Sequence, residues 1–232
     1  MDFIFMLTRG DRTVGDGLTL LDQVAGLGLG HIGFKDIGVD RKTLRALNGR
    51  IEEMGATSYL EVVSTSAAEC LESVRTAVEI GVDRLLGGTE VAAALDILKG
   101  TGIEYYPFPG FPTGHPTDLR GSGADVADHC AAFMAKGCAG ADLLAYRATE
   151  ADPLELVRAA RGALGDGRLI VAGSIANARQ IADLAHAGAD AFTIGTAVFE
   201  DAFAADAKGV ESQIQAIQEA CKAAKAAAPH AT

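Results

Sequence analysis

The chain has 232 residues, 49% hydrophobic and 22% charged, ample for one buried core. Its formal net charge of -11 argues against nucleic acid and anionic membrane surfaces as partners, so an anionic substrate needs a local positive site. No stretch reaches transmembrane length, and the start, MDFIFMLTRGD, lacks the basic lead and long apolar core of a signal peptide, which reads as a cytoplasmic protein.

A repeated phrase runs along the chain: a helical segment ends in glycine and a short apolar run follows. Gly30 precedes HIGF, Gly55 ATSYLEVV, Gly81 VDRLL and Gly102 IEYYPF. Gly137 and Gly140 precede ADLLAY, Gly167 RLIVAG and Gly188 ADAFTIG. Glycine suits the left-handed residue that closes a helix. With FIFML at the start, the runs predict strands near residues 3–8, 31–36, 57–63, 83–87, 103–107, 141–146, 169–173 and 190–195. Helices are predicted near 16–28, 40–54, 66–80, 90–99, 123–136, 152–164, 177–187 and 197–204. Strands alternating with helices imply right-handed βαβ units and a parallel sheet. Eight such units imply an α/β fold closed into a (β/α)8 TIM barrel, here one domain over 1–232. An open doubly wound sheet is the competing reading, but no GxGxxG follows the first strand. Residues 210–228 are rich in Ala, Gln and Lys with apolar positions at helical spacing, and predict an added C-terminal helix. The long connection 108–122, FPGFPTGHPTDLRGS, follows the fifth strand, where such loops are often functional. Cys70, Cys130, Cys138 and Cys221 form no CxxC pair and read as free buried thiols of a reducing compartment.

In a barrel, chemistry sits at the carboxyl ends of the strands and in the loops after them. Lys35 ends the second strand and Glu61 lies inside YLEVV on the third. Facing helices, either charge would be buried at high cost; facing inward, they can meet each other and a substrate. The bland alternative is an ion pair that only closes the interior. Asp36 should point to the opposite face or into the loop. Arg9 after strand one and Arg147 after strand six are placed for an anionic substrate group. His115, in the long loop, is a general acid–base candidate. Gly87-Gly88-Thr89 after strand four offers close backbone approach or a tight turn. Asp83, Asp142 and Asp190 follow helix-ending glycines, which assigns them to the lower rim in turn or capping roles. His31, His129 and His186 read as structural. After strands seven and eight, Gly173-Ser174 and Gly195-Thr196 form small-residue turns into helices, the place where barrels often bind phosphate.

Gly173-Ser174 and Ile194-Gly195-Thr196-Ala197, with GADAF before the latter, resemble the ribulose-phosphate-binding barrel superfamily. That group includes phosphosugar epimerases, the two histidine-pathway barrels, phosphoribosylanthranilate isomerase and aminosugar-phosphate epimerases. The resemblance implies that Gly173, Ser174, Gly195 and Thr196 hold a substrate phosphate. The catalytic strands match less: Thr8 stands where the histidine-pathway barrels carry an aspartate. FKDIGVD echoes the DxKxxD element of the decarboxylase branch at the wrong spacing.

Three functions follow. In the first, the protein isomerises or epimerises a small phosphorylated sugar or keto acid: Glu61 moves a proton beside a carbonyl and Lys35 stabilises the enediolate, with His115 as a second acid–base group. In the second it is an aldolase or other lyase using Lys35 as a Schiff base. In the third it is a phosphometabolite-binding barrel without catalysis. The chemistry needs no redox cofactor; a divalent metal would require Asp36, Glu61 and His115 to converge. The apolar helix faces admit a homo-oligomer.

Overall fold

The computed structural model describes residues 1–227 except Thr65 and His115. Eight parallel strands make up the central sheet: β1 (Asp2–Met6), β2 (His31–Lys35), β3 (Thr57–Val62), β4 (Arg84–Gly87), β5 (Glu104–Tyr106), β6 (Gly140–Leu143), β7 (Arg168–Val171) and β8 (Ala191–Ile194). They run in the order β6-β7-β8-β1-β2-β3-β4-β5. The Ala139 amide donates to the Tyr105 carbonyl and the Asp142 amide to the Pro107 carbonyl, each at 3.0 Å, joining β5 to β6 and closing the ring.

Both faces of each strand are buried, so the strands read as nearly continuous apolar runs. Outward residues such as Phe5, Ile32, Leu60 and Phe192 join the large core under the helices. Inward residues Ile4, Met6, Tyr59, Leu86, Tyr106, Ile170 and Ala191 form a separate cluster that plugs the barrel. Gly33 keeps room for that plug, since a Cβ there would lie 2.4 Å from Met6 Sδ and 3.2 Å from Tyr59 Cβ. Gly33→Ala is expected to cost about 1–2 kcal/mol in chemical denaturation, as overpacking does. Below the plug, polar side chains cross the floor. Arg168 pairs with Asp2, the Tyr59 hydroxyl meets His31 Nδ1 at 3.1 Å, and Arg84 pairs with Glu104 at 2.7 Å. The floor is thereby sealed, which leaves the opposite end as the mouth.

The helices are α1 (Gly17–Val24), α2 (Arg41–Glu53), α3 (Ala67–Ile80), α4 (Val91–Leu98), α5 (Gly123–Lys136), α6 (Pro153–Leu164), α7 (Ala178–Ala187), α8 (Thr196–Phe199) and α9 (Val210–Ala227). Their starts are written in the sequence. Asp40 accepts from the Thr43 amide, Ser122 and Asp125 form a capping box, and Asp152 caps α6 ahead of Pro153. Gly137 and Gly188 end α5 and α7 in the left-handed conformation. The predicted helix 197–204 is a single turn, and β6 stops at Leu143 rather than continuing to 146, where the chain instead makes a 3-10 turn at Ala145–Arg147. Among the described residues no helix is long and apolar enough to cross a membrane.

Candidate active site

Two hairpins flank the mouth. Thr8–Arg9 pairs antiparallel with Arg12–Thr13 around Gly10-Asp11, both at positive φ (54 and 59). That is the turn whose twist suits a two-residue hairpin, and aspartate tolerates the left-handed region better than most residues. Thr13 ties this hairpin to β2: its hydroxyl donates to the Lys35 carbonyl at 2.7 Å and accepts from the Lys35 amide at 2.8 Å. The second hairpin, Phe111–Thr113 with Asp118–Arg120, lies within the predicted long loop. It docks on the chain after β6, where the Thr149 amide donates to the Leu119 carbonyl at 3.0 Å.

Register pairs Lys35 directly with Glu61, and both side chains turn inward and are buried. Lys35 Nζ lies 3.3 Å from Glu61 Oε1 and donates to Asp11 Oδ1 at 2.8 Å. Arg147 donates from Nη1 and Nη2 to the two oxygens of Asp11, each at 3.0 Å, a bidentate fork. Asp11 thus bridges two cations. Burial alone would lower the Lys35 pKa, but Glu61 and Asp11 outweigh it and hold the ammonium above the ordinary lysine value. Burial would likewise raise Asp11, but the hydrogen bonds from Arg147 and the charge of Lys35 hold its carboxyl far below the usual range.

Asp11 therefore adds stability that is complete above its unfolded pKa and is lost as pH falls through its depressed folded value. Asp11→Asn is expected to lower stability at pH 7 by about 1–3 kcal/mol, the cost of leaving buried charged partners unmatched. The deficit should close in strong acid, as measured by denaturation across pH.

These groups line one cavity of about 580 Å³ at the carboxyl ends of the strands. Its wall includes Asp11, Lys35, Glu61 and Arg147 together with Gly173, Ser174, Gly195 and Thr196. The four positions expected to share a rim, Lys35, Glu61 and the two glycine turns, do so. Gly173 makes room for Arg147: a Cβ there would lie 2.6 Å from Arg147 Nε. Arg147 thereby connects the charged cluster to the first turn. Ser174 sits at φ 57, in the left-handed region, and Thr196 Oγ1 accepts from the Gly10 amide at 3.2 Å.

Other expectations meet different surroundings. The Arg9 side chain is exposed and pairs with Glu200 at 3.7 Å; it is not part of the cavity wall, because the hairpin turns it outward. His115 lies outside the described residues. Asp36 points away from Lys35, as expected, accepts from Ser73 Oγ, and lines a second cavity of about 520 Å³ with Ser64, Glu69 and Glu72. Asp36 and Glu61 therefore face different spaces. Among the described residues no three His, Cys, Asp or Glu are grouped to hold a metal. Gly87 and Gly88 serve packing, with a Cβ meeting the Phe108 ring at 2.7 Å and Cys70 Sγ at 2.8 Å respectively.

Asp83 and Asp190 hold strand starts together, accepting from the Ser58 and Leu169 amides, each at 2.7 Å. Asp142 corrects the lower-rim expectation. It is the third residue of β6, fully buried inside the barrel, with both carboxylate oxygens unpartnered among the described residues. Sequence reading singled out neither Asp11 nor Asp142 as a site residue. The signal for Asp11 was its place in a two-residue Gly-Asp turn directly after strand one.

No protein-family model matches the chain, and no curated relative matches its sequence. Similar solved structures are distant in sequence. Orotidine 5'-phosphate decarboxylase from Pyrococcus horikoshii OT3 aligns with a TM-score of 0.68 at 13% identity, over 95% of this chain and 99% of that one. A native KDPGal structure aligns with a TM-score of 0.63 at 13% identity, over 96% and 97%. A mandelate oxidase mutant with an FMN adduct aligns with a TM-score of 0.67 at 12% identity, over 97% and 74%. At these identities the likeness shows the (β/α)8 barrel fold.

Proposed function

We propose that the chain is an enzyme of the ribulose-phosphate-binding barrel superfamily that moves a proton beside the carbonyl of a small phosphorylated sugar or keto acid, as an isomerase or epimerase. One observation carries this reading: Lys35, held by Asp11 and Glu61, lines the same cavity as the Gly173-Ser174 and Gly195-Thr196 turns. The turns supply backbone N–H groups and two hydroxyls for the phosphate. Arg147, which spans from the first turn to Asp11, holds a further polar group of the substrate. The Glu61 carboxylate takes the proton on the carbon next to the carbonyl. The electron pair moves onto the carbonyl oxygen, and the enediolate charge faces the Lys35 ammonium. Transfer of the hydroxyl proton between the two oxygens, with return of the carbon-bound proton to the former carbonyl carbon, completes an isomerisation. Delivery of a proton to the opposite face of the same carbon by a second acid, the role expected of His115, completes an epimerisation.

A Schiff-base lyase is the weaker reading. It needs a neutral amine, whereas two carboxylates around Lys35 favour the ammonium. That orotidine 5'-phosphate decarboxylase shares the fold fits a phosphorylated substrate without selecting the reaction. The test is solvent-deuterium incorporation into dihydroxyacetone phosphate, ribulose phosphate and phosphorylated keto acids. Exchange by the parent protein and its loss in Glu61→Gln is the expected result; equal exchange in the variant removes Glu61 from the chemistry. Borohydride trapping of an adduct at Lys35 would favour the lyase instead.

A further inference from the structure

Among the described residues, Asp142 is the buried acid with neither carboxyl oxygen hydrogen-bonded, and its side chain is fully buried. A carboxylate so placed is costly unless it is protonated or paired. β6 stands four strands from β2 in either direction round the ring, so Asp142 and Lys35 point inward from opposite walls. Asp142 pairs in register with Ile170, a member of the apolar plug. The charged groups that act on it are Glu61 from β3, Lys35 from β2 and Arg147 from the turn after β6. From β5, Tyr106 sends its hydroxyl to Glu104 at 2.7 Å, toward the floor. Asp11 is bound to the same two cations, Lys35 and Arg147.

We propose that Asp142 is a positioning residue for the Lys35–Glu61 pair: an uncharged acid beside the apolar plug, on the wall opposite Lys35, which keeps the site at two cations and two carboxylates. This rests on the reading of Lys35 and Glu61 as the reacting pair. Burial pushes the Asp142 carboxyl well above the usual carboxylate range, and the charge of Glu61 adds to it, against Lys35 and Arg147. Ionisation at alkaline pH places a third carboxylate against the same two cations. The enediolate is itself an anion, so the extra charge opposes its formation. Lys35 keeps its proton through this range, because Glu61 and Asp11 hold it above ordinary lysine. The alkaline loss of rate is expected to follow Asp142.

Asp142→Asn is isosteric and permanently neutral. Its exchange rate on ribulose phosphate or dihydroxyacetone phosphate is followed against pH beside that of the parent. The alkaline limb is expected to move up by about one pH unit or more. An alkaline limb that superimposes on the parent's overturns the proposal. Infrared titration supplies a readout independent of turnover. The parent should show a carboxylic-acid carbonyl band that is absent from Asp142→Asn. That band should be lost at lower pH in Glu61→Gln, where the neighbouring negative charge is gone. A missing band, or one that Glu61→Gln does not move, overturns the proposal even if Asp142→Asn fails to fold. Full exchange in both Lys35→Met and Glu61→Gln would instead overturn the reacting pair, and the infrared result would stand apart from it.

Discussion

Lys35→Met is expected to lower kcat about a thousandfold, the scale on which a positioned charge stabilises a developing anion. It should also destabilise the fold at pH 7 by about 3–5 kcal/mol, because removing one partner of a buried ion pair leaves the other charge uncompensated. The uncompensated groups here are Glu61, 3.3 Å from Nζ, and Asp11, 2.8 Å from it. The Asp11 carboxyl loses part of what holds it below the usual range once the ammonium is gone. The stability deficit should therefore shrink as pH falls, which chemical denaturation at several pH values checks. A variant as stable as the parent at pH 7 would mean that the three charges do not share a buried site.

Gly195→Ala is expected to raise KM for a phosphorylated substrate about 10- to 100-fold, equivalent to about 1.4–2.8 kcal/mol, with kcat within a few-fold. Gly195 follows β8, and a Cβ there would lie 2.5 Å from Thr8 Oγ1, 2.7 Å from the Thr8 carbonyl oxygen and 3.1 Å from the Met6 carbonyl oxygen. Two of these atoms are backbone and cannot swing aside, so the turn itself must move away from β1. That displaces the Gly195 and Thr196 amides from the cavity wall while Lys35 and Glu61, on β2 and β3, keep their places. Steady-state kinetics with a phosphosugar and its unphosphorylated analogue separates the effects: only the phosphorylated compound should suffer. Equal loss with both would place the phosphate elsewhere.

Much of the barrel is legible in the chain because one physical device repeats. A capped helix closes on a glycine, and the next apolar run enters the sheet. Lys35 and Glu61 are legible for a related reason, since a charge inside an apolar run on adjacent strands has few places to go but inward. What fails is direction where the pattern is silent. GADLLAY is apolar on both faces, so alternation does not say which way Asp142 points; pairing with β7 from Gly140 onward turns it inside. Arg147 ends a 3-10 turn rather than a strand, which swings its guanidinium across Gly173. Arg9 and Asp11 are two residues apart on one hairpin, yet the left-handed turn at Gly10-Asp11 sends Asp11 over the mouth and Arg9 to Glu200. Hairpin twist decides that outcome, and residue type alone does not reveal it.

Amide NMR titration bears most directly on whether the charged pair and the glycine turns serve a single ligand. Inorganic phosphate should shift the amides of Gly173, Ser174, Gly195 and Thr196 together, with one saturation curve. Ribulose phosphate should shift the same amides and, with the same constant, the side-chain signal of Lys35. Shifts confined to other surfaces, or turns and Lys35 that respond with unrelated constants, would contradict a shared site.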